Sequence, residues 1–124
     1  MRAGSHPANL ALRFLLELVA LLALGWWGLS LADSWLRFVL AVLFSAVAAT
    51  IWGTFAVPDD PSRSGEAPVV VRGWIRLGLE LIVFGGAVIG LASVGRGSFA
   101  AVFLVVVVVH YLLSIDRISW LLER

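Results

Sequence analysis

Ionisable side chains are scarce in this chain, and four of them fall into a pattern. Arg13 stands four residues before Glu17 in RFLLELV (13–19), and Arg76 stands four before Glu80 in RLGLELI (76–82). That spacing puts both members of each pair on one helix face. A carboxylate in an apolar medium can trade its proton for a cation; beside a guanidinium it can instead form a fixed ion pair. Two further groups could join such a site. His110 is the one histidine outside the N-terminal tail, and Thr50 adds a hydroxyl. His6 and His110 are too few for a multi-histidine metal centre, and the absence of cysteine removes thiolate ligands, disulfides and cysteine nucleophiles. No metal or cofactor is expected. No nucleophile–base motif is present either, so no enzyme is expected, although Glu80 and His110 could meet at one depth.

The charges must be positioned by very apolar elements. The chain has 124 residues, 61% of them hydrophobic, and a mean hydropathy of +1.02, against roughly 45–50% apolar in ordinary soluble domains. So short a soluble fold could not cover that much apolar surface. The expectation is an all-α integral membrane protein, a bundle of four transmembrane helices in lipid. Net charge is +1, all nine basic residues are arginine, and no basic run suggests nucleic acid.

A span needs about 20 apolar residues, and four segments qualify: 9–31, 35–57, 73–94 and 99–118. They form two hairpins, 9–57 and 73–118, flanked by tails 1–8 and 119–124 and separated by the loop 58–72. Asp33 or Ser34 suits the N-cap of the second helix, Pro58 its stop, and Ser98 the N-cap of the fourth. "SLA" at 30–32 could be read by a signal peptidase, but Glu17 and the repeat described next argue for a retained first helix.

The two charge pairs belong to a repeat. At an offset of 63, Arg13/Arg76, Leu16/Leu79, Glu17/Glu80 and Leu18/Leu81 are identical. Two crossings return the chain to its starting side, so the hairpins are expected to be parallel copies about an axis along the membrane normal. Four spans leave both termini on one side, with Arg2, Arg13, Arg63, Arg72, Arg76, Arg117 and Arg124. Only Arg37 and Arg96 lie opposite. The positive-inside rule makes the arginine-rich side cytoplasmic.

Depth can be counted from the cytoplasmic helix ends. Thr50 stands eight residues before Pro58, and His110 six before Asp116. Glu17 and Glu80 fall in the same layer, about 10 Å inside at 1.5 Å per residue. Thr54, Ser114, Arg13 and Arg76 form a layer nearer the cytoplasm. Parallel copies predict cross-pairing of Arg13 with Glu80 and of Arg76 with Glu17. Tyr111 and the tryptophans read as interface anchors. Ser45/Ala49/Gly53 and Gly86/Gly90 read as helix-packing seams.

The blocks NLALRFLLELVALLALGWWG (9–28), IWGTFAVP (51–58) and RLGLELIVFG (76–85) resemble the YrdB-like family of small bacterial four-helix membrane proteins. The resemblance covers nearly the whole chain from Asn9. It implies the four-helix topology and a bacterial cytoplasmic membrane, and it assigns no activity. Asp59 and Asp60 follow Pro58 where the family pattern has a basic residue.

Two functions fit these features. One is a non-catalytic membrane component, an accessory subunit or scaffold, whose small-residue seams dock a second copy or a partner membrane protein. The alternative is a small proton- or ion-coupled transporter using the Arg–Glu pairs. Length, span number and a first-helix glutamate are similar to the small multidrug resistance transporters, whose membrane glutamate exchanges protons for cationic substrates. An arginine one turn from each glutamate competes with a cation, so an anionic or zwitterionic substrate fits at least as well.

Overall fold

The computed structural model describes residues 5–63 and 66–124; Arg2, counted above toward the cytoplasmic side, lies outside them. The first helix, α1, runs Pro7–Ser30. Pro7 at its start has the backbone angle a helix needs and no amide to leave unbonded. The His6 ring nitrogen Nδ1 accepts the Ala8 amide at 3.1 Å. Helix α2 runs Leu36–Thr54, and the Ser34 hydroxyl accepts the Leu36 amide at 3.3 Å. It ends three residues short of the expected boundary. There Phe55–Ala56 turns extended as β1 and pairs in parallel with β2, Val69–Val70, inside the expected loop.

Helix α3 occupies Gly73–Ser93, close to expectation. The fourth segment does not. Helix α4 covers only Gly97–Leu113, with Arg96 at its cap position in place of Ser98. After Ser114 the chain turns by 69° into a separate helix α5, Ile115–Leu122. The expected span 99–118 is therefore a broken one. The length and composition of the segment do not show the break, because they record hydrophobicity and not direction.

Helices α1, α2 and α3 are each long and apolar enough to cross a membrane, and α4 with α5 makes a fourth if the bent pair is one span. The core lies between α1, α3 and α4, where Leu16, Ala20, Phe84, Ala87, Phe103 and Val107 are buried. Helix α2 packs on α1 through a close approach at Gly28, where a Cβ would sit 2.5 Å from the Leu40 carbonyl oxygen. Otherwise α2 buries only Ala48 among the described residues. Leu22, Val42, Ile82, Val102 and Leu112 are each more than three-fifths exposed. Soluble monomers rarely expose large apolar side chains in such number.

Helix α5 folds back onto the start of α3. The Gly73 amide donates to the Arg124 carbonyl at 3.1 Å, and a Cβ on Gly73 would lie 1.6 Å from the Leu121 carbonyl oxygen. Backbone cannot yield as a flexible side chain can. Gly73→Ala is therefore expected to destabilise by about 1–3 kcal/mol, the usual range for overpacking. Amide exchange should rise in α5 and stay low in α1. Unchanged exchange in α5 would show that this docking contributes nothing.

A buried charge cluster at one end of the bundle

Helices α1 and α3 begin, and α2 and α4 end, at the same end of the bundle. The second turn of α1 and the start of α3 carry Arg13 and Arg76 into that end, and Glu80 follows one turn deeper on α3. Arg13, Arg76 and Glu80 are 2%, 2% and 1% exposed.

Glu80 is the hub. Its Oε2 receives Arg76 Nε at 2.9 Å and a guanidinium nitrogen of Arg117 at 2.7 Å, and Arg13 contacts it at 3.0 Å. Its Oε1 accepts the Tyr111 hydroxyl at 2.8 Å and a second Arg117 nitrogen at 3.1 Å. Arg117 also clamps Asp60, with bonds of 2.9 and 2.6 Å to the two carboxylate oxygens. One carboxylate on α3 thus joins α1, α4 and α5, and Arg117 adds the loop.

The arginines are further held by neutral groups. Arg76 donates to the Trp52 and Phe55 carbonyls, both at 2.7 Å. Those carbonyls are left without helical partners where α2 ends. The Arg13 and Arg76 guanidiniums lie 5.3 and 5.4 Å from the Trp52 ring centre, within cation–π range. Three cations, Arg13, Arg76 and Arg117, meet three anions, Glu17, Glu80 and Asp60. The balance is what burial requires, because an uncompensated charge in a low-dielectric site is costly.

The predicted site residues divide. Arg13, Arg76 and Glu80 come together, and the expected Arg13–Glu80 cross-pair forms. The reciprocal Arg76–Glu17 pair does not. Glu17 instead contacts its own Arg13 at 3.2 Å, with a quarter of its side chain exposed. The two sequence copies are therefore unequal in space: one acid is sealed and the other faces a crevice. His110 is buried at the same end, its Nδ1 2.9 Å from the Asn9 side-chain oxygen, while Asn9 donates to Ser114 at 2.8 Å. That chain ties the start of α1 to the α4–α5 bend.

Thr50 is a correction. It matches the layer in depth but is exposed, and its hydroxyl donates to the Ala46 carbonyl at 2.7 Å. Its side of α2 faces away from the bundle. Tyr111 is a second correction, a buried donor to Glu80 and not an interface anchor. Sequence reasoning missed Asp60, Arg117 and the ring of Trp52. The signal for Arg117 was present: beyond Leu113 the pattern SIDRISWLLER spaces Arg117 and Leu121 one turn apart on an amphipathic helix.

Two comparisons bear on identity. A family described as "Protein of unknown function (DUF2568)" matches residues 11–108. "Uncharacterized protein YrdB" of Bacillus subtilis (strain 168) is 39% identical over 119 residues, which is 96% of this chain and 97% of that protein. The chain belongs to this YrdB-like family. No solved structure matches it. The family match ends at residue 108, before Tyr111, Ser114 and Arg117. In this YrdB-like protein the cluster therefore rests partly on residues beyond that match.

The Asp60 clamp lies in the loop and gives a pH test. Burial works against ionisation of Asp60, but bonding to Arg117, its charge and two bonds from Ser62 outweigh it. They hold the carboxyl below its usual 3.8. A carboxyl depressed by folding contributes stability that is fully present above the unfolded pKa and is lost as pH falls through the folded one. The clamp is therefore expected to be intact above about pH 4 and to weaken below it. Asp60→Asn should flatten that acid limb in thermal melts. An unaltered limb in the variant would place the acid sensitivity elsewhere.

Proposed function

We propose that this chain is a multi-pass protein of the bacterial cytoplasmic membrane, with four spans in two parallel hairpins and both termini cytoplasmic. Its role is that of a non-catalytic component, an accessory subunit or scaffold, and the charge cluster is a lock that fixes the cytoplasmic end of the bundle. The observation that carries this reading is the saturation of Glu80. A proton or ion carrier must release its counter-charges during each cycle, whereas Glu80 meets three arginines and a tyrosine at once. His110, the other group suited to proton transfer, is bonded to Asn9 through Nδ1, and its Nε2 has no hydrogen-bond partner among the described residues. Small-residue seams and the largely bare α2 support docking of a second copy or a partner membrane helix.

One observation favours the transporter reading: Glu17, a quarter exposed, lines a 300 Å³ crevice. Liposomes separate the two. Under the scaffold reading, purified protein gives no proton-coupled flux, and Glu17→Gln changes nothing. Flux that disappears in Glu17→Gln while its melting point stays at the parental value would move transport ahead. Topology can be tested in the same preparation, because the chain has no cysteine. A cysteine replacing Ser34 should label only from outside; labelling only from the cytoplasmic side would overturn the orientation.

A further inference from the structure

The crevice beside Glu17 is lined by charged and apolar residues together. It lies between α1 and the end of α2, under the loop, and encloses about 300 Å³. A second space of 220 Å³ shares Glu17, Trp52 and Gly53 with it and continues toward Leu21, Ala49 and Val83. Leu21 and Ala49 are each one helical turn deeper than Glu17 and Gly53, about 6 Å further from the loop. The space is thus polar at the loop end and apolar at the deep end.

Three features mark the polar end. Arg63 has buried Nε and Nη1 donors with no hydrogen-bond partner among the described residues, although its Nη2 is held by the Glu66 carbonyl at 3.1 Å. Buried donors without partners are costly and call for an acceptor. Glu17 is the one acid of the cluster that is not sealed. Gly53, which lines the opening, is exposed, and among the described residues a Cβ there would meet no atom within 4 Å. The loop that carries Arg63 is not loosely placed, since Asp60 accepts the Ser62 amide and hydroxyl, both at 2.9 Å, and is itself clamped by Arg117.

We propose that this crevice binds the headgroup of an amine-bearing phospholipid from the cytoplasmic leaflet. Arg63 takes the phosphate; Glu17 takes the ammonium; the open space at Gly53 leaves room for the glycerol; and one acyl chain follows Leu21 and Ala49 inward. The pairing of an anionic and a cationic recognition group across one opening selects a zwitterion. Basic pockets at the cytoplasmic ends of spans are recognised headgroup sites. The volume is at the lower end of ordinary ligand pockets, about 300–1,000 Å³. A free phosphate would satisfy Arg63 but leave Glu17 and the apolar extension without purpose. The inference rests on the membrane placement proposed above and not on the role of the Glu80 cluster.

The test uses the full chain extracted from membranes and delipidated in a neutral detergent. Short-chain phosphatidylethanolamine, phosphatidylglycerol and inorganic phosphate are titrated separately, with the thermal midpoint as readout. Losing one charge-assisted contact corresponds to about tenfold in affinity. Phosphatidylethanolamine is expected to bind about tenfold more tightly than phosphatidylglycerol, and inorganic phosphate not at all. Arg63→Ala should weaken both lipids about tenfold, and Glu17→Gln should remove the preference between them. Gly53→Leu should weaken both, and its midpoint without lipid shows whether it has folded; Arg63→Ala and Glu17→Gln decide the matter if it has not. Equal binding of the two lipids, phosphate binding as strong as lipid, or an unaffected Arg63→Ala would each overturn the site. A chain found in the aqueous fraction before extraction would overturn the membrane reading instead.

Discussion

Glu80→Gln is expected to lower folding stability in detergent by about 3–5 kcal/mol, the range for removing one partner of a desolvated ion pair. The amide keeps the shape of the side chain and deletes its charge. Arg13, Arg76 and Arg117 would then share only Glu17 and Asp60, and the amide nitrogen would present a donor where donors already point. Glu17→Gln is the internal control. Its carboxylate is a quarter exposed and its one arginine contact is 3.2 Å, so its loss should cost less than that of Glu80, closer to the value of about 1 kcal/mol for exposed pairs. The sequence repeat alone would rank the two acids as equals. Their spatial inequality makes the difference between the two variants informative. Equal melting points for the two would mean that the cluster is not what holds this end together.

Arg117→Met carries the second large effect. Methionine retains the apolar stem and removes the guanidinium that bridges α5 to Asp60 in the loop and Glu80 on α3. Two buried carboxylates lose a partner at once, and the cost should again reach about 3–5 kcal/mol. The damage should be local in kind. Helix α5 and the loop would open while α1 and α2 stay packed, because that contact also runs through Gly28 and Ser45, deeper than the cluster, and its Arg13–Trp52 contact does not involve Arg117. Hydrogen exchange would record this as lost protection in residues 115–122 with α1 unchanged. Uniform loss of protection along the chain would argue that α5 is not a separable lid.

Apolar run length made the first three helices legible, and Arg13, Arg76, Glu80 and His110, which depth counting groups, lie at one end of the bundle. Depth is only one coordinate. Thr50 has the right depth and the wrong azimuth, and α2 has no polar stripe by which its rotation could be set. The α4–α5 bend was hidden because no proline or glycine stands at Ser114, and the charges Asp116 and Arg117 read as the ordinary cytoplasmic end of a span. Asp60 and Arg117 look like headgroup charges when read locally. Their pairing spans 57 positions and becomes visible only once the chain turns back at Ser114. The Arg13–Glu80 contact could be anticipated from the repeat, but the failure of its mirror image could not. That failure follows from Arg117, which has no counterpart in the first hairpin and draws Glu80 alone into the sealed centre.

The most direct measurement is a double-mutant cycle between Glu80 and Arg117, read by unfolding in mixed micelles. If these side chains form a structural lock, the double variant Glu80→Gln/Arg117→Met should lose less than the sum of the single variants by at least about 1 kcal/mol, within the usual range for contacting residues. Additivity to within about 0.5 kcal/mol, as seen for distant and independent sites, would contradict the lock.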